Sequence, residues 1–519
     1  MAQLTIQQAF DLAMQHHQAG RLQEAEQLYR QILMQQPGHA DALHLRGVIA
    51  SQVGRHDLAV VLIRQAIALK PGYTDAYSNL GIALCGLGQL GEAIAAFRQA
   101  ILLNPNDAET LSNLGNALRD GGQLDEAIVV YRQAIARKPD WPDIYSSLGF
   151  VLTDVGQLDE AIAAFRQALA LNPGYATAHS NLLLTMHYHP GFAASAIAEE
   201  HRRWNRVHAE PLQKYIQAHA NDRSPERRLR IGYVSPDLRE HVNGRNFLTL
   251  LAGHDHANFE IFAYAQVPKP DGLSEEIRAQ ADSWRSLVEL TDVQAAELIR
   301  QDKIDILVDL AGHTAGNRLL VFALQPAPVQ VTWLGYPNTT GLRTMDYRLT
   351  DAYADPPGQT ESYHSEQLSR LSPCAWCYRA TQSPPLTTRP EGPVTFGSFN
   401  TFPKVSEPML RLWGRILRVV PESRLLLKAM GLGSESTRVR VRQVLGQEGI
   451  AAERLELRGF EPGHGGHLAL YSRMDVALDT FPYHGTNTTC EALWMGVPVV
   501  SLAGESHVSR GGVSLLRNG

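Results

Sequence analysis

The first third of the chain repeats one arrangement of apolar, small and polar positions every 34 residues. Three residue types keep this step: alanines at Ala59, Ala93, Ala127 and Ala161, glycines at Gly47, Gly81, Gly115 and Gly149, and prolines at Pro37, Pro71, Pro105, Pro139 and Pro173. A period of this length and composition is typical of tetratricopeptide repeats, in which each unit is a pair of antiparallel helices. The pattern therefore predicts an α solenoid over residues 5–190.

Each repeated residue type has a mechanical reason in such a solenoid. Glycine follows leucine where the two helices of a unit approach closely, and the small alanine lies where the second helix crosses the first. Proline ends the unit because it has no backbone N–H to donate within a helix.

One polar position recurs with the same step, at Asn79, Asn113, Ser147 and Asn181. It lies on the first helix of each unit, on the face that lines the concave groove. Amide side chains carry donors and acceptors, so a ladder of them can hold an extended peptide backbone without reading its sequence. A hydrogen bond between neighbouring repeats explains the same residues, and both interpretations stay open. We predict an acceptor-peptide groove at Asn79, Asn113 and Asn181.

After residue 190 the pattern changes to short apolar runs that alternate with helical stretches. Residues 195–217 are predicted as a helix within a linker, 191–228. The runs are Leu229–Val234, Glu260–Ala265, Ile304–Leu310 and Val329–Leu334, then Pro393–Phe399, Arg424–Lys428, Leu455–Gly459, Asp475–Leu478 and Pro498–Leu502. Strands alternating with helices predict parallel, doubly wound sheets. We expect two Rossmann-like α/β lobes, 229–380 and 390–519, with a hinge at 370–392 and a ligand cleft at the carboxyl ends of the strands.

Composition narrows the function class. Lysine and arginine total 47 and aspartate and glutamate total 53, a net charge of −6, which argues against a protein that coats nucleic acid. No apolar run reaches the ~18 residues of a membrane helix, and the N-terminus lacks the basic start of a signal peptide. Four cysteines make no disulfide framework. We expect a cytoplasmic protein with no membrane partner.

The run from Asp479 to Trp494, Asp-Thr-Phe-Pro-Tyr-His-Gly-Thr-Asn-Thr-Thr-Cys-Glu-Ala-Leu-Trp, offers the clearest candidate chemistry. It follows a predicted strand and leads into a helix. Hydroxyls, an amide and free backbone N–H groups at a helix N-terminus favour a phosphate group. N-capping needs only one such residue, and this loop has several. Glu491, about one turn into the helix, is placed to accept ribose hydroxyls.

Two further candidates follow the first strand of each lobe. Lys404 ends the segment Ser398-Phe-Asn-Thr-Phe-Pro-Lys, where a point charge would meet a diphosphate. His241 ends Val234-Ser-Pro-Asp-Leu-Arg-Glu-His, where it would act as a general base or position the substrate. No Walker A sequence or G-x-G-x-x-G after a strand is present.

Two clusters resemble metal or redox motifs but are interpreted otherwise. Cys374 and Cys377 form a C-x-x-C without a second pair, so we assign them to packing. His467 closes Gly463-His-Gly-Gly-His, which lacks carboxylate support for a metal, and is interpreted as a nucleotide contact or a surface residue. We expect no metal.

Several segments together resemble the protein O-GlcNAc transferase and SPINDLY family of glycosyltransferases. They are Lys303-Ile-Asp-Ile-Leu-Val-Asp-Leu-Ala-Gly-His-Thr, Pro326-Ala-Pro-Val-Gln-Val-Thr-Trp-Leu-Gly-Tyr-Pro-Asn-Thr-Thr-Gly, Phe396-Gly-Ser-Phe-Asn with Lys404, and the Asp479–Trp494 run. The resemblance implies a metal-independent, inverting enzyme of the two-lobe GT-B type. It would move N-acetylglucosamine from UDP-GlcNAc to Ser or Thr of proteins held by the repeats.

The same resemblance implies roles for individual residues. His241 matches the active-site histidine, and Lys404 matches the diphosphate-binding lysine. His467 matches a histidine that contacts the nucleotide base, and Glu491 matches an acidic residue that contacts the ribose. Thr486, Asn487 and Thr488 match the loop that binds the phosphates. Thr401, beside Lys404, is also assigned to the nucleotide sugar. A homodimer formed through the repeats is a further expectation.

Two alternatives to this function remain open. The Gly-His-Thr and Tyr-Pro-Asn-Thr-Thr-Gly segments look equally like those of SPINDLY, which leaves open an O-fucosyltransferase using GDP-fucose. A non-catalytic repeat scaffold would keep the architecture without activity. Relatives of the family continue with helices beyond the position of Gly519. We therefore expect an exposed apolar patch near Val499, Leu502 and Leu515, because an open α/β sheet needs helices on both faces.

Overall fold

The computed structural model describes residues 4–224, 226–380, 384–385, 392–459 and 464–518. The chain packs as two compact units, Met1–Val151 and Leu152–Gly519.

The first unit is a stack of helix pairs with a strict period. Its odd-numbered helices begin 34 residues apart, as do its even-numbered ones. The helices are α1 (Ile6–Gln18), α2 (Leu22–Gln35), α3 (Ala40–Gln52), α4 (His56–Leu69), α5 (Thr74–Gly86), α6 (Leu90–Leu103), α7 (Ala108–Asp120), α8 (Leu124–Arg137) and most of α9 (Pro142–Asp154). The predicted solenoid of tetratricopeptide repeats is confirmed.

The repeated glycines have the mechanical role expected of them. A Cβ at Gly81 would lie 2.6 Å from the Phe97 ring, and one at Gly115 would lie 2.6 Å from the Tyr131 ring. A second glycine series, not used in the sequence analysis, occupies the turn inside each helix pair with φ between +71° and +76°: Gly20, Gly54, Gly88, Gly122 and Gly156. Only glycine adopts this left-handed backbone without strain.

The helical period continues into the second unit, with α10 (Leu158–Leu171) and α11 (Ala176–Tyr188), followed by α12 (Ala194–Trp204). The helix predicted over 195–217 is therefore too long. Beyond Trp204 the chain forms a π turn, Asn205–Ala209, and a 3₁₀ turn, Glu210–Tyr215. Pro211, which has no N–H to donate, stands at the start of the second turn.

A seven-stranded sheet follows, with all its strand pairs parallel and the order β3-β2-β1-β4-β5-β6-β7. Its strands are β1 (Leu229–Ser235), β2 (Phe259–Ala265), β3 (Ser283–Ser286), β4 (Ile306–Asp309), β5 (Val329–Thr332), β6 (Tyr347–Asp351) and β7 (Gln367–Leu371). The helices of this first lobe are α13 (Val242–Leu251), α14 (Gly272–Gln280), α15 (Asp292–Gln301) and α16 (Leu319–Ala323). One apolar cluster around Phe262, Ile299 and Phe322 and another around Tyr233, Phe247 and Ile277 form its core.

The second lobe contains a five-stranded parallel sheet in the order β10-β9-β8-β11-β12. Its strands are β8 (Thr395–Ser398), β9 (Arg424–Lys428), β10 (Leu455–Arg458), β11 (Val476–Leu478) and β12 (Val499–Val500). Its helices are α17 (Glu407–Val419), α18 (Glu435–Gln447), α19 (His464–Ala469), α20 (Asn487–Trp494) and α21 (Gly511–Asn518). Two parallel α/β lobes are thus confirmed.

The last strand of the second sheet exposes apolar side chains, as expected in part. Val500 at the end of β12 is 58% exposed, and Leu502, two residues after the strand, is 53% exposed. Val499 and Leu515 are only partly exposed. Within the described part of the chain, no helix is both long and apolar enough to span a membrane.

Candidate active site

A cavity of about 850 Å³ lies where strands of both sheets end at their carboxyl side. The first lobe contributes the segments that follow β1, β2, β4 and β5. The second lobe contributes the segments that follow β8 and β11. Of the predicted site residues, the cavity wall brings together His241, Thr401, Lys404, Thr486 and Asn487.

His241 stands at the N-terminus of α13, with its side chain 41% exposed. Its Nδ1 lies 3.2 Å from the backbone N of Asn243 and 3.3 Å from Oδ2 of Asp237. These neighbours suit opposite tautomers, since Asn243 N–H donates to a bare Nδ1 and Asp237 accepts from a protonated one. The second tautomer leaves Nε2 unprotonated, the state that a general base needs.

Burial lowers the pKa of the His241 imidazole, while the Asp237 carboxylate acts in the opposite direction. The net lowered pKa keeps the ring neutral at pH 7. Asp237 is itself buried and also accepts a hydrogen bond of 2.9 Å from Nδ2 of Asn243. Sequence reasoning missed Asp237, although its place directly after a strand, four residues before His241, was a usable signal.

Lys404 ends a short 3₁₀ turn, Phe402–Lys404, that follows β8. Its Nζ donates to the backbone oxygen of His484 at 2.9 Å and lies 4.1 Å from the centre of the Tyr483 ring. Burial lowers the pKa of this ammonium group to about 8. The Tyr483 ring in turn packs at a tilt of 37° against Tyr188 of α11, with ring centres 5.0 Å apart. Sequence reasoning missed both tyrosines.

The loop before α20 is held in shape by Asp479. Its Oδ1 accepts from the backbone N of Gly485 at 2.7 Å, and its Oδ2 accepts from Ser501 at 2.8 Å. Any side chain at Gly485 would collide with Thr488 and Asn400. The loop therefore delivers Thr486 and Asn487 to the cavity at a helix N-terminus, where backbone N–H groups lack partners within the helix.

Asn487 also joins the two lobes, because its Oδ1 accepts a hydrogen bond of 3.0 Å from Nδ2 of Asn246 on α13. Thr488 turns away and donates to Oδ1 of Asn400 at 2.9 Å. The amide of Asn487 is therefore already engaged before any ligand is considered.

His467 and Glu491 lie against one another rather than on the cavity wall. Nε2 of His467 is 2.8 Å from Oε2 of Glu491, and that oxygen also accepts from the Tyr471 hydroxyl at 3.0 Å. Lys428 contacts Nδ1 of the same imidazole at 2.5 Å. Across the described residues, the wall of the 850 Å³ cavity omits His467, Thr488 and Glu491.

The three groove asparagines have different surroundings. Nδ2 of Asn79 lies 2.9 Å from Nε2 of His44 in the preceding repeat, as the stacking interpretation requires. Asn113 is half-buried, and its side chain has no hydrogen bond to a described residue. Asn181 lines a second cavity of about 280 Å³, together with Thr314 and Arg318. Their role in binding acceptors stays a prediction.

The cysteines are all free thiols. Cys374 lies 3.7 Å from the Ser514 hydroxyl, and Cys377 lies 3.8 Å from the backbone oxygen of Asn246, contacts that agree with a packing role. In the described parts of the chain, no three His, Cys, Asp or Glu side chains lie together so that they could hold a metal ion.

The chain is similar to known glycosyltransferases over most of its length. Residues 176–377 and 379–518 match Glycosyl transferase family 41. Residues 10–74 match a tetratricopeptide repeat family, and residues 83–187 match another in three overlapping segments.

Two plant proteins, each described as a probable UDP-N-acetylglucosamine–peptide N-acetylglucosaminyltransferase SPINDLY, are among its relatives. The Petunia hybrida protein is 43% identical over 66% of this chain and 37% of its own length. The Arabidopsis thaliana protein is 41% identical over 65% of this chain and 38% of its own length. The chain thus spans less than two fifths of these curated relatives.

A solved structure of a mutant Thermobaculum terrenum O-GlcNAc transferase is similar over most of the length of both chains. It is 38% identical, has a TM-score of 0.80, and the match covers 86% of this chain and 85% of that one. The family match covers well over half of the sequence, so the chain belongs to glycosyl transferase family 41.

Proposed function

We propose that this protein transfers N-acetylglucosamine from UDP-GlcNAc to Ser or Thr side chains of proteins, with inversion at the sugar carbon. The observation that carries the proposal is that one cavity is lined by His241 of the first lobe and Lys404 of the second, in a chain of family 41. The names of the plant relatives and of the solved bacterial structure favour UDP-GlcNAc over GDP-fucose as donor.

The second lobe supplies the groups that a nucleoside diphosphate needs. Lys404 offers a positive charge, and the N-terminus of α20 offers the Thr486 hydroxyl, the Asn487 side chain and the positive end of a helix dipole. Thr488, whose hydroxyl donates to Asn400, is assigned to the same phosphate-binding loop as the residue that holds its shape. We assign Thr401 to the same donor. These groups stabilise the negative charge that develops on the diphosphate of UDP when its bond to the sugar breaks.

We assign His467 and Glu491 to the nucleoside end of the donor. Their mutual hydrogen bond keeps the imidazole beside Phe399, at 5.7 Å between ring centres, and gives it a fixed orientation. The Glu491 carboxylate already accepts two hydrogen bonds, from His467 and Tyr471. We therefore assign it an indirect role, in which it orients His467 toward the nucleoside.

The first lobe supplies the base. The acceptor hydroxyl oxygen forms a bond to C1 of the sugar, and the bond between C1 and the diphosphate oxygen breaks with its electron pair leaving on UDP. The hydroxyl proton passes to Nε2 of His241, whose lowered pKa keeps it neutral and able to accept. Asp237 then stabilises the imidazolium through Nδ1–H. No metal is assigned a step.

We propose a division of labour along the chain. Repeats over 5–190 hold protein acceptors in their concave groove, 191–228 connects them, 229–380 forms the acceptor side and 390–519 binds the nucleotide sugar. Four free thiols support a cytoplasmic setting. The repeats are also the proposed surface for a homodimer.

The donor assignment is tested with ligands first. UDP and UDP-GlcNAc should raise the melting temperature, while GDP and GDP-fucose should not. A ligand at a hundred times its dissociation constant stabilises the folded state by about 2.7 kcal/mol. Transfer is then read by mass spectrometry on Ser- and Thr-containing peptides. Stabilisation by GDP with fucose transfer would identify the other donor, and no response to either nucleotide would identify a scaffold.

A further inference from the structure

The mouth of the 850 Å³ cavity carries two cations on the first-lobe side. Arg239 follows β1 and Lys269 follows β2, and both line the cavity while remaining exposed. Neither side chain enters an ion pair or a hydrogen bond with any described residue. The mouth is therefore positive, although the chain as a whole carries a net charge of −6.

The carboxylates near this mouth are already engaged. Asp237, the acidic residue of the described cavity wall, contacts His241 and Asn243. Glu240 forms an ion pair with Arg245. Asp271 caps α14 through Ser274 at 3.0 Å and accepts from the backbone N of Glu240 at 2.7 Å. Arg239 and Lys269 are thus left without a counter-ion among the residues that the structure describes.

Their position separates them from the proposed diphosphate site. Lys404 and the N-terminus of α20 belong to the second lobe, whereas both mouth cations belong to loops of the first. The first lobe is where His241 would meet the acceptor hydroxyl. A charge placed beside that base acts on the residues that flank the modified Ser or Thr.

We propose that Arg239 and Lys269 select acceptor segments that carry Asp or Glu next to the modified residue. The inference rests on the proposed transferase function, whose acceptor class it narrows to acidic peptides. Each exposed ion pair contributes little to affinity, so we expect the two cations to change the order in which acceptors are preferred and the rate at which they associate. Salt should weaken both effects.

The test uses the full-length protein, saturated with UDP, and three labelled peptides of equal length with one central Thr. Glu, Gln or Lys flanks that Thr, and fluorescence anisotropy gives the affinity. We expect the Glu peptide to bind about tenfold more tightly than the Gln peptide, the upper range for two exposed pairs. High salt should remove most of this difference. The double variant Arg239→Glu with Lys269→Glu should bind the Lys peptide best.

The matched control is Arg415→Glu, an exposed cation on α17 of the second lobe. It changes the net charge of the protein without touching the mouth, so the Glu peptide should keep its rank. Equal affinities for the three peptides, or an unchanged order in the double variant, would overturn the proposal. Loss of UDP affinity in the double variant would overturn it as well, by assigning the cations to the donor.

Failure of the transferase function gives a different result. A protein that moves no sugar from any donor still yields the three peptide affinities. Charge-ranked binding without transfer would leave the mouth as an acidic-peptide site and refute the catalysis. Transfer without charge ranking would refute only the inference about Arg239 and Lys269.

Discussion

At the scale of single residues, Lys404 is the group whose charge most directly serves a donor. We predict that Lys404→Met weakens UDP binding by roughly 10- to 150-fold, the equivalent of about 1.5–3 kcal/mol for a hydrogen bond to a charged group. Methionine keeps an apolar stem on the Tyr483 ring, so the fold should survive. Calorimetric titration with UDP measures the loss, and Arg415→Glu is the control.

The lowered pKa of Lys404 adds a pH dependence to the same measurement. Because the pKa of Lys404 is about 8 in the protein without ligand, its side chain loses its charge as the pH rises through that value. UDP affinity of the wild type should therefore decline above pH 8, and that of Lys404→Met should not change there. A decline of the same size in both proteins would assign the pH dependence to another group.

Asp237 is the second residue with a specific expected effect, because it acts through His241. Asp237→Asn removes the charge that raises the imidazole pKa, and it leaves Nδ1–H without its carboxylate. We predict a fall in kcat of roughly 10²–10⁴-fold, the usual range for general base catalysis. The acid limb of the kcat profile should move to lower pH, while UDP affinity stays at the wild-type value.

Glu240→Gln provides the comparison, since the Glu240 carboxylate pairs with Arg245 and raises the pKa of His241 less than Asp237 does. A purely structural role of Asp237 would lower the melting temperature and leave the acid limb in place. That result, or equal kcat losses in the two variants, would contradict the positioning role.

At the scale of elements, strands that contain an apolar run were predictable, including the edge strands β10 and β12, whereas β3, β6 and β7 of the first sheet were not. The runs that become β1, β2, β8 and β9 are buried and apolar, and their ends were located to within about two residues. β3, at one edge of the first sheet, reads Ser-Trp-Arg-Ser, and β6, between β5 and β7, contains the buried Arg348. Such strands are formed by pairing with a neighbour, which leaves no apolar run in the sequence.

The site followed the same rule. His241, Lys404 and Thr486 were found because each follows a buried strand, and parallel strands bring their carboxyl ends to one edge. Tyr188 was not found because it belongs to the last repeat helix, and only tertiary packing brings it to Tyr483. His467 and Glu491 were predicted individually, while their contact with one another was not.

The repeat asparagines separate into a structural and a free type. Asn79→Ala would leave Nε2 of the buried His44 unpaired, so we expect a loss of about 1–3 kcal/mol in stability. Asn113→Ala removes no described hydrogen bond, so it should spare stability and weaken protein acceptors only. The triple variant with Asn181→Ala should combine both effects and leave hydrolysis of the UDP-GlcNAc donor unchanged.

Thermal melting and acceptor binding, measured on the same single variants, distinguish the two roles. If Asn113→Ala lowers the melting temperature and leaves acceptor affinity intact, then stacking explains the whole ladder. If both single variants lower acceptor affinity equally and neither lowers the melting temperature, the hydrogen bond between Asn79 and His44 does not stabilise the fold.

At the scale of the whole molecule, a buried layer of histidines ties α11 and α12 to the loops after β4 and β5. His201 bonds the Tyr336 hydroxyl at 2.9 Å, His313 bonds Ser180 at 3.0 Å, and His187 bonds the amide of Asn338 at 3.1 Å. These rings are neutral when they pack, since charging an imidazole in such surroundings is costly.

This layer makes the second unit sensitive to acid. Burial lowers the pKa of His201 and of His208 to about 4, and it also holds the pKa values of His187 and His313 well below their usual range. Between pH 6.5 and pH 4 these histidines bind protons in the unfolded chain but stay neutral in the folded one. Their contribution to the free energy of unfolding is therefore complete above pH 6.5 and declines as the pH falls below it. From pH 7 to pH 5 the loss is about 2 kcal/mol for each of His201 and His208.

Thermal melting of the wild type at pH 7 and pH 5 measures this loss, and His208→Gln tests its origin. Glutamine keeps a polar group near His179, whose Nδ1 lies 3.0 Å from Nε2 of His208, but it takes up no proton. The variant should therefore lose less stability on acidification than the wild type does. His16→Gln on α1 is the control and should follow the wild type. If His208→Gln follows it too, groups outside the histidine layer cause the acid sensitivity.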